Sequence, residues 1–356
     1  MVGAFLTTVL WSFSAIFARR STRVFGASFA NFSRLLLACI LLGAYTHLFA
    51  PALEWQSFQV LFWSGLIGLG LGDLALFVAL PRLGSRLSLL MVQCLAAPIA
   101  ALIEWAWLGT TLSILQIASG LIVLVGIAIA FRPSGEVKPD ALGIFMGLLA
   151  AIGQGAGAII SRHAYDYMKL ADIPVDGGSA AYQRMLGGFL ISAVYLVFEY
   201  WFKKQRSRAK SQHAKTYESE SSGSINSPRD AMRVPAAYRP SEEALVSKVR
   251  AETLAESGNL QTSAPKKSVS ESRLRDYLFI LGNTLCGPVI GVACYQWALS
   301  EQPGGVVLPI VATTPLVAIP FTRWLEKDSV GLQAWGGGLI AVAGVIGLVW
   351  STPGQG

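Results

Sequence analysis

Charge is scarce in this chain. Of its 356 residues, 14% are Asp, Glu, Lys or Arg, against about 25% in an average soluble domain. Histidine occurs three times and cysteine four times. Neither has the spacing of metal ligands, so no metal site is expected. Cys39, Cys94, Cys286 and Cys294 all lie in apolar runs and read as small packing residues. No Gly-x-x-x-x-Gly-Lys-Ser/Thr loop is present, which removes ATP as a drive within this chain. His-Glu-x-x-His and Gly-x-Ser-x-Gly are missing too, so neither a zinc protease nor a serine hydrolase is expected. The expectation is a non-enzyme without a cofactor. The first apolar run has no basic leader and no Ala-x-Ala site, so Val2–Ala18 is expected to be retained.

What is abundant is apolar sequence: 53% of residues are hydrophobic, and they come in blocks. A bilayer core of about 30 Å needs about 20 apolar residues per helix. Ten stretches qualify: 2–18, 31–49, 58–80, 87–108, 113–131, 141–161, 182–202, 276–299, 304–324 and 331–350. The expected fold is therefore all-α and integral to the membrane, with the bilayer itself as a partner.

The charges that do occur are concentrated. Lys203–Arg273 holds 14 Lys/Arg and 8 Asp/Glu, a net of +6 within a chain total of +7. This segment is rich in Ser, Lys, Arg and Glu and cannot bury enough apolar surface to fold, so 203–273 reads as a disordered loop. Within it, Glu242–Glu256 reads as a short amphipathic helix. A polybasic stretch beside a membrane meets anionic headgroups or follows the positive-inside bias, so nucleic acid is not expected as a partner.

The chain also repeats itself. Ala79-Leu80 recurs as Ala298-Leu299, Pro98-x-x-Ala101 as Pro315-x-x-Ala318, and Trp107-Leu108 as Trp324-Leu325. Gln116 and Gly120 recur as Gln333 and Gly337, and Arg34 corresponds to Arg184. The ten spans divide into a repeat over 1–131, a linker at 132–140, and a second repeat over 141–350 interrupted by 203–273. Five spans is an odd number, so the second repeat must enter from the opposite side, giving two inverted five-helix repeats.

Ionisable groups inside spans are expensive and rarely idle. Asp73 is the most interior one and falls opposite Arg34 in depth. It reads either as half of an ion pair that fixes packing or as a proton or substrate site. Arg184 repeats Arg34, yet the position matching Asp73 is Val292. Arg184 therefore reads as snorkelling to headgroups or as attracting an anion. Glu104, in Glu104-Trp105-Ala106-Trp107, reads as interfacial, and His163 as solvated. Gln93, Gln154, Asn283, Gln296 and Thr313 are uncharged polar groups inside spans, each either interhelical glue or a cavity contact. Gly70-Leu71-Gly72-Asp73 matches a string of intramembrane aspartyl proteases, but no acid precedes Asp73 in the first two spans to complete a dyad.

These features together resemble the EamA-type transporters of the drug/metabolite transporter superfamily. Trp11-Ser12, Arg34, Ala79-Leu80, Pro98/Ala101, Leu108-Gly109 and Gln116/Gly120 carry the likeness in the first half. Arg184, Ala298-Leu299, Pro315/Ala318, Leu325 and Gln333/Gly337 carry it in the second. The glutamate that usually follows Leu-Gly is Thr110 here, and Gln154 stands where a tryptophan is usual. The resemblance implies a secondary transporter in the cell membrane, working by alternating access on a small-molecule substrate, as a metabolite or drug exporter or exchanger. A proton is the candidate coupling ion. Trp11, Asp73, Gln93, Gln154, Asn283, Gln296 and Thr313 are the candidate substrate contacts, with Arg34 and Arg184 as charge pair or gate. The alternative is a non-transporting scaffold or sensor whose basic loop binds a partner. The oligomeric state is left open. The Lys/Arg bias places both termini outside, whereas the resemblance leans to both inside.

Overall fold

The computed structural model describes residues 1–50, 53–130, 140–174, 176–223, 269–318 and 332–351, and every regular element among them is a helix. The linker at 132–139, the segment Glu242–Glu256, and Trp324-Leu325 lie outside the described residues. The chain divides into two compact units, Met1–Leu196 with Leu274–Gly356, and Val197–Arg273.

In chain order the helices are α1 (Val2–Phe25), α2 (Ala27–Phe49), α3 (Trp55–Gly65), α4 (Asp73–Leu108), α5 (Ile114–Ala130) and α6 (Ala141–Leu170). They continue as α7 (Gly177–Gly223), α8 (Val269–Thr284), α9 (Ile290–Glu301), α10 (Gly304–Ala312) and α11 (Leu332–Ser351). Two π-helical segments join helices end to end: Leu66–Gly72 between α3 and α4, and Leu285–Val289 between α8 and α9. Seven helical stretches are long and apolar enough to cross a membrane, and Ile114–Ala130, Gly304–Ala318 and Trp335–Ser351 are shorter apolar helices.

Local chemistry sets the ends. Gly26 separates α1 from α2 at φ 80°, a backbone angle that side chains with a Cβ rarely adopt. Glu54 caps α3 by accepting from the amides of Gln56 and Ser57. Those bonds, Ser57 first, hold its carboxyl below the usual range. Asp140 caps α6 through the Gly143 amide, 2.8 Å away.

α4 is helical without interruption from Asp73 to Leu108, where the sequence separates two spans near 81–86. The two parts nonetheless run in opposite directions. Gly72 lies against Ala150 and Gln154 of α6, and Leu83 against Gly143. Met91 then lies against Gly147, and Ala96 and Ala100 against Gly155. Contacts descend α6 and climb it again, so the chain reverses near Leu83 and α4 consists of two helical arms that abut there and run in opposite directions.

Packing rests on small residues, as it must where lipid gives no hydrophobic drive between helices. A Cβ on Gly153 would stand 2.8 Å from Gly72 Cα, and one on Gly157 2.9 Å from Gly68 Cα. Two glycines four residues apart on α6 thus meet two on the first π-helical segment. α3 and α7 cross as closely: a Cβ on Gly65 would fall 1.9 Å from the Arg184 carbonyl oxygen. α5 and α11 pair through Gly126, Gly337 and Ala341.

The second unit corrects the sequence reading. Residues after 202 do not leave the helix at once; α7 runs to Gly223. Lys, Arg, Gln, Ala and Glu are good helix formers, and Lys203 pairs with Glu199 one turn back at 2.5 Å. α8 likewise starts at Val269, ahead of the expected 276.

Candidate functional site

The first π-helical segment delivers Asp73 into the bundle as the opening residue of α4. Arg34 of α2 approaches it, Nη2 to Oδ2 at 3.8 Å. On the other side Gln154 Nε2 donates to Oδ1 at 3.5 Å. Arg34 Nε donates to Asn31 Oδ1 at 2.8 Å, and Asn31 Nδ2 donates to Ser192 Oγ at 3.2 Å. One polar chain therefore links α7, α2, α4 and α6. Asn31, Asp73, Ser192 and Tyr195 line a cavity of about 160 Å³ together with Leu69 and Ile191. Both members of the ion pair keep some exposure, 25% and 16%, so the charges are half-sheltered.

A second polar cluster surrounds Arg184. Its side chain is 2% exposed, which overturns the snorkelling reading. The cause is backbone geometry: the α3–α7 crossing at Gly65 pins the Arg184 main chain inside the bundle. The guanidinium lies 5.8 Å from the centroid of Tyr295, and Tyr295 packs on Trp11 at 5.4 Å. Tyr165, Tyr295 and Asp73 are within its electrostatic reach. Gln296, one residue after Tyr295, is fully buried, and neither amide atom finds a hydrogen-bond partner.

The remaining candidates do other work. Asn283 accepts from Ser14 Oγ at 2.7 Å, tying α8 to α1. Thr313 donates to Ile310 O at 2.6 Å within its own helix. Its neighbour Thr314 donates to Val311 O, the carbonyl that Pro315 cannot serve. Gln93 is half-buried on α4 and joins neither cluster. The repeated Pro98, Ala101, Gln116 and Gly120 line an apolar crevice with Gly305 and Pro309.

Glu104 and His163 also depart from the sequence reading. Glu104 is 2% exposed rather than interfacial. Its Oε2 accepts from the Gly305 amide at 3.3 Å, at the start of α10, and its Oε1 lies 3.8 Å from Arg162 Nε. Arg162 also donates to Leu299 O at 2.9 Å, at the end of α9, and pairs with Asp166. A carboxylate at one helix start and a guanidinium at another helix end each meet the favourable pole of the helix dipole. The α9–α10 turn is held between them. His163 is half-buried, its ring tilted against Trp107 with centroids 4.7 Å apart.

Asn31, Ser192, Tyr165 and Tyr295 were not singled out from the sequence. Asn31 had a usable signal, a polar residue one helical turn before Arg34. The aromatic residues had none, because Tyr suits an apolar span as well as a site.

Apolar helices of spanning length, enclosing an ion pair and buried polar groups, are those of a multi-pass membrane protein. The chain belongs to the EamA-like transporter family, whose model matches residues 1–132 and 262–350, within the drug/metabolite transporter superfamily. No curated protein matches it. A solved structure titled "Crystal structure of protein" is similar over 98% of this chain and 97% of its own, with a TM-score of 0.62 at 12% identity. That likeness is one of fold.

Proposed function

We propose that this protein is a secondary transporter of a small molecule, working by alternating access between two inverted five-helix repeats, 1–131 and 141–350. In this reading ten spans cross the cell membrane. The seven long helical stretches supply most of them, and the three shorter apolar helices, with the reversal inside α4, complete the set. The π-helical segments support the repeat. Ala79 corresponds to Ala298, an offset of 219, and the same offset carries Leu66 to Leu285, where the second segment begins. Such segments are rare and favour functional positions.

The observation that carries the proposal is the Arg34–Asp73–Gln154 cluster, an ion pair held inside apolar helices where burial is costly. Asp73 is the candidate proton site, and Trp11, Gln154 and Gln296 are the candidate substrate contacts. The Arg162–Glu104 contact closes one end of the bundle, so opening there requires its rupture. The test is flux of a metabolite panel through proteoliposomes, with and without an imposed proton gradient. Gradient-dependent flux of at least one compound, lost in Asp73→Asn, is the expected result. No flux above protein-free vesicles for the whole panel would reject the proposal.

A further inference from the structure

The two corresponding arginines are not equivalent in charge. Arg34 faces Asp73 at 3.8 Å. Among the described residues Arg184 has no such mate; the residue corresponding to Asp73 in the second half is Val292, 4% exposed in an apolar cluster with Ala181 and Met185. Two nitrogens of Arg184, Nε and Nη1, are buried without a hydrogen-bond partner. Two other acids among the described residues are engaged elsewhere. Glu104 faces Arg162 and the Gly305 amide, and Asp176 accepts from the amides of Gly178 and Ser179 at the start of its own helix. Arg34, Arg184 and Asp73 together therefore leave one positive charge uncompensated inside the bundle.

The groups around that charge suit a ligand. Tyr165 Oη is buried and unpartnered among the described residues, like Nε and Nη1 of the guanidinium. The Tyr295 ring lies beside the guanidinium and is backed by Trp11. A lone buried cation costs several kcal/mol after relaxation, and an arginine is suited to a planar carboxylate or a phosphate. Lipid headgroups are not favoured, since the residue is 2% exposed and its backbone is fixed at the Gly65 crossing.

We infer that Arg184 is the recognition point for an anionic substrate, a small solute whose single carboxylate or phosphate pairs with the guanidinium and whose apolar or aromatic portion rests on Tyr295 and Trp11. Naming the anion a substrate rests on the transporter reading; its binding does not.

Binding is measured on the full-length protein purified in lipid-free detergent, by thermal melting and by tryptophan fluorescence. The probes are benzoate, phenyl phosphate, inorganic phosphate and, as a cationic control, benzylammonium. The aromatic anions are expected to raise the melting temperature in a saturable way, and benzylammonium is not. Arg184→Gln removes a stranded charge, so without ligand it should melt no lower than wild type, yet lose the anion-dependent rise. Arg184→Lys should retain part of it. Arg34→Gln, which leaves Asp73 unpaired, separates a local effect from general loss of cations. A wild type insensitive to all three anions overturns the inference, as does an Arg184→Gln protein that responds like wild type. Should anions bind while no compound is transported, the transporter reading fails and the site stands. A response appearing only after anionic phospholipid is added would assign the site to headgroups and reject the solute.

Discussion

Arg34 and Asp73 meet across the α2–α4 contact at 3.8 Å, with Asn31 steadying the arginine and Gln154 reaching the free side of the carboxylate. Removing one partner strands the other's charge. Asp73→Asn alone is expected to destabilise by about 2 kcal/mol, less than the roughly 3–5 kcal/mol of a fully buried pair because both groups are partly exposed. Arg34→Gln added to it should recover some of that loss in a thermal melt. Transport should stay absent in the double variant. Recovery of both stability and transport would reduce the pair to a packing device.

The three consecutive glycines of α11 offer an internal control. A Cβ on Gly337 would lie 2.5 Å from the Ala130 amide nitrogen and the Gly126 carbonyl oxygen, while none on Gly336 or Gly338 meets anything within 4 Å. Gly337→Ala should cost about 1–3 kcal/mol through forced separation of α5 and α11. Gly336→Ala and Gly338→Ala should be neutral or mildly stabilising, since alanine is the better helix former. Equal effects at all three positions would contradict the α5–α11 pairing.

Arg162 holds the α9–α10 turn through Leu299 O and Glu104. Arg162→Ala is expected to loosen that end of the bundle. On a background without native cysteines, Gln296→Cys should then react several-fold faster with a membrane-impermeant maleimide than when Arg162 is present. Unchanged labelling would mean that this contact is not what closes the end.

Asp140 ties α6 to the α4 turn, and its pH response has a definite sign. The Gly143 amide first, then the Arg82 guanidinium at 2.8 Å, hold its carboxyl below the ordinary range. A carboxyl lowered in the folded state adds stability above its unfolded pKa of about 3.9, and that stability is lost as pH falls through the folded value. Melting curves should therefore show an acid-side loss below about pH 4 that is reduced in Asp140→Asn. The effect should be small, because the pair is exposed. An identical acid profile in the variant would rule out this contribution.

Orientation follows from charge. Arg19, Arg20, Arg23, Arg82, Arg86 and the Lys203–Lys210 flank fall on one side of the ten-span reading. Of the basic residues assigned to the other side, Arg184 is buried and Arg162 is engaged with Glu104 and Asp166. The positive-inside bias then places both termini outside. In intact cells, Gly354→Cys should react with an impermeant maleimide and Ser222→Cys should not. The opposite pattern reverses the topology.

Sequence alone made the helices legible, because bilayer thickness dictates the length of an apolar run. Depth counting along two consecutive spans also placed Arg34 opposite Asp73. The snorkelling reading of Arg184 failed because its burial depends on the Gly65 crossing, a contact between residues far apart in the chain. Glu104 was misread for a similar reason, since flanking tryptophans suggest an interface but cannot show that a distant helix start needs a cap. The π-helical segments were not foreseen: the first accompanies glycine-to-glycine packing against α6, and the second holds Pro288, which has no N–H to give to the helix.

Synthesis order gives the two arginines different histories. Arg34 is followed by the span that carries Asp73, so the two charges can enter the bilayer as one hairpin, nearly neutral. Arg184 must enter on α7 before α9 brings Tyr295, and a charge within an inserting helix is costly. Until then the α3–α7 crossing and Tyr165 of α6 shelter it. The second half of this protein is therefore the part whose membrane integration depends on what has already been assembled, and whose failure a cell's insertion machinery would register first.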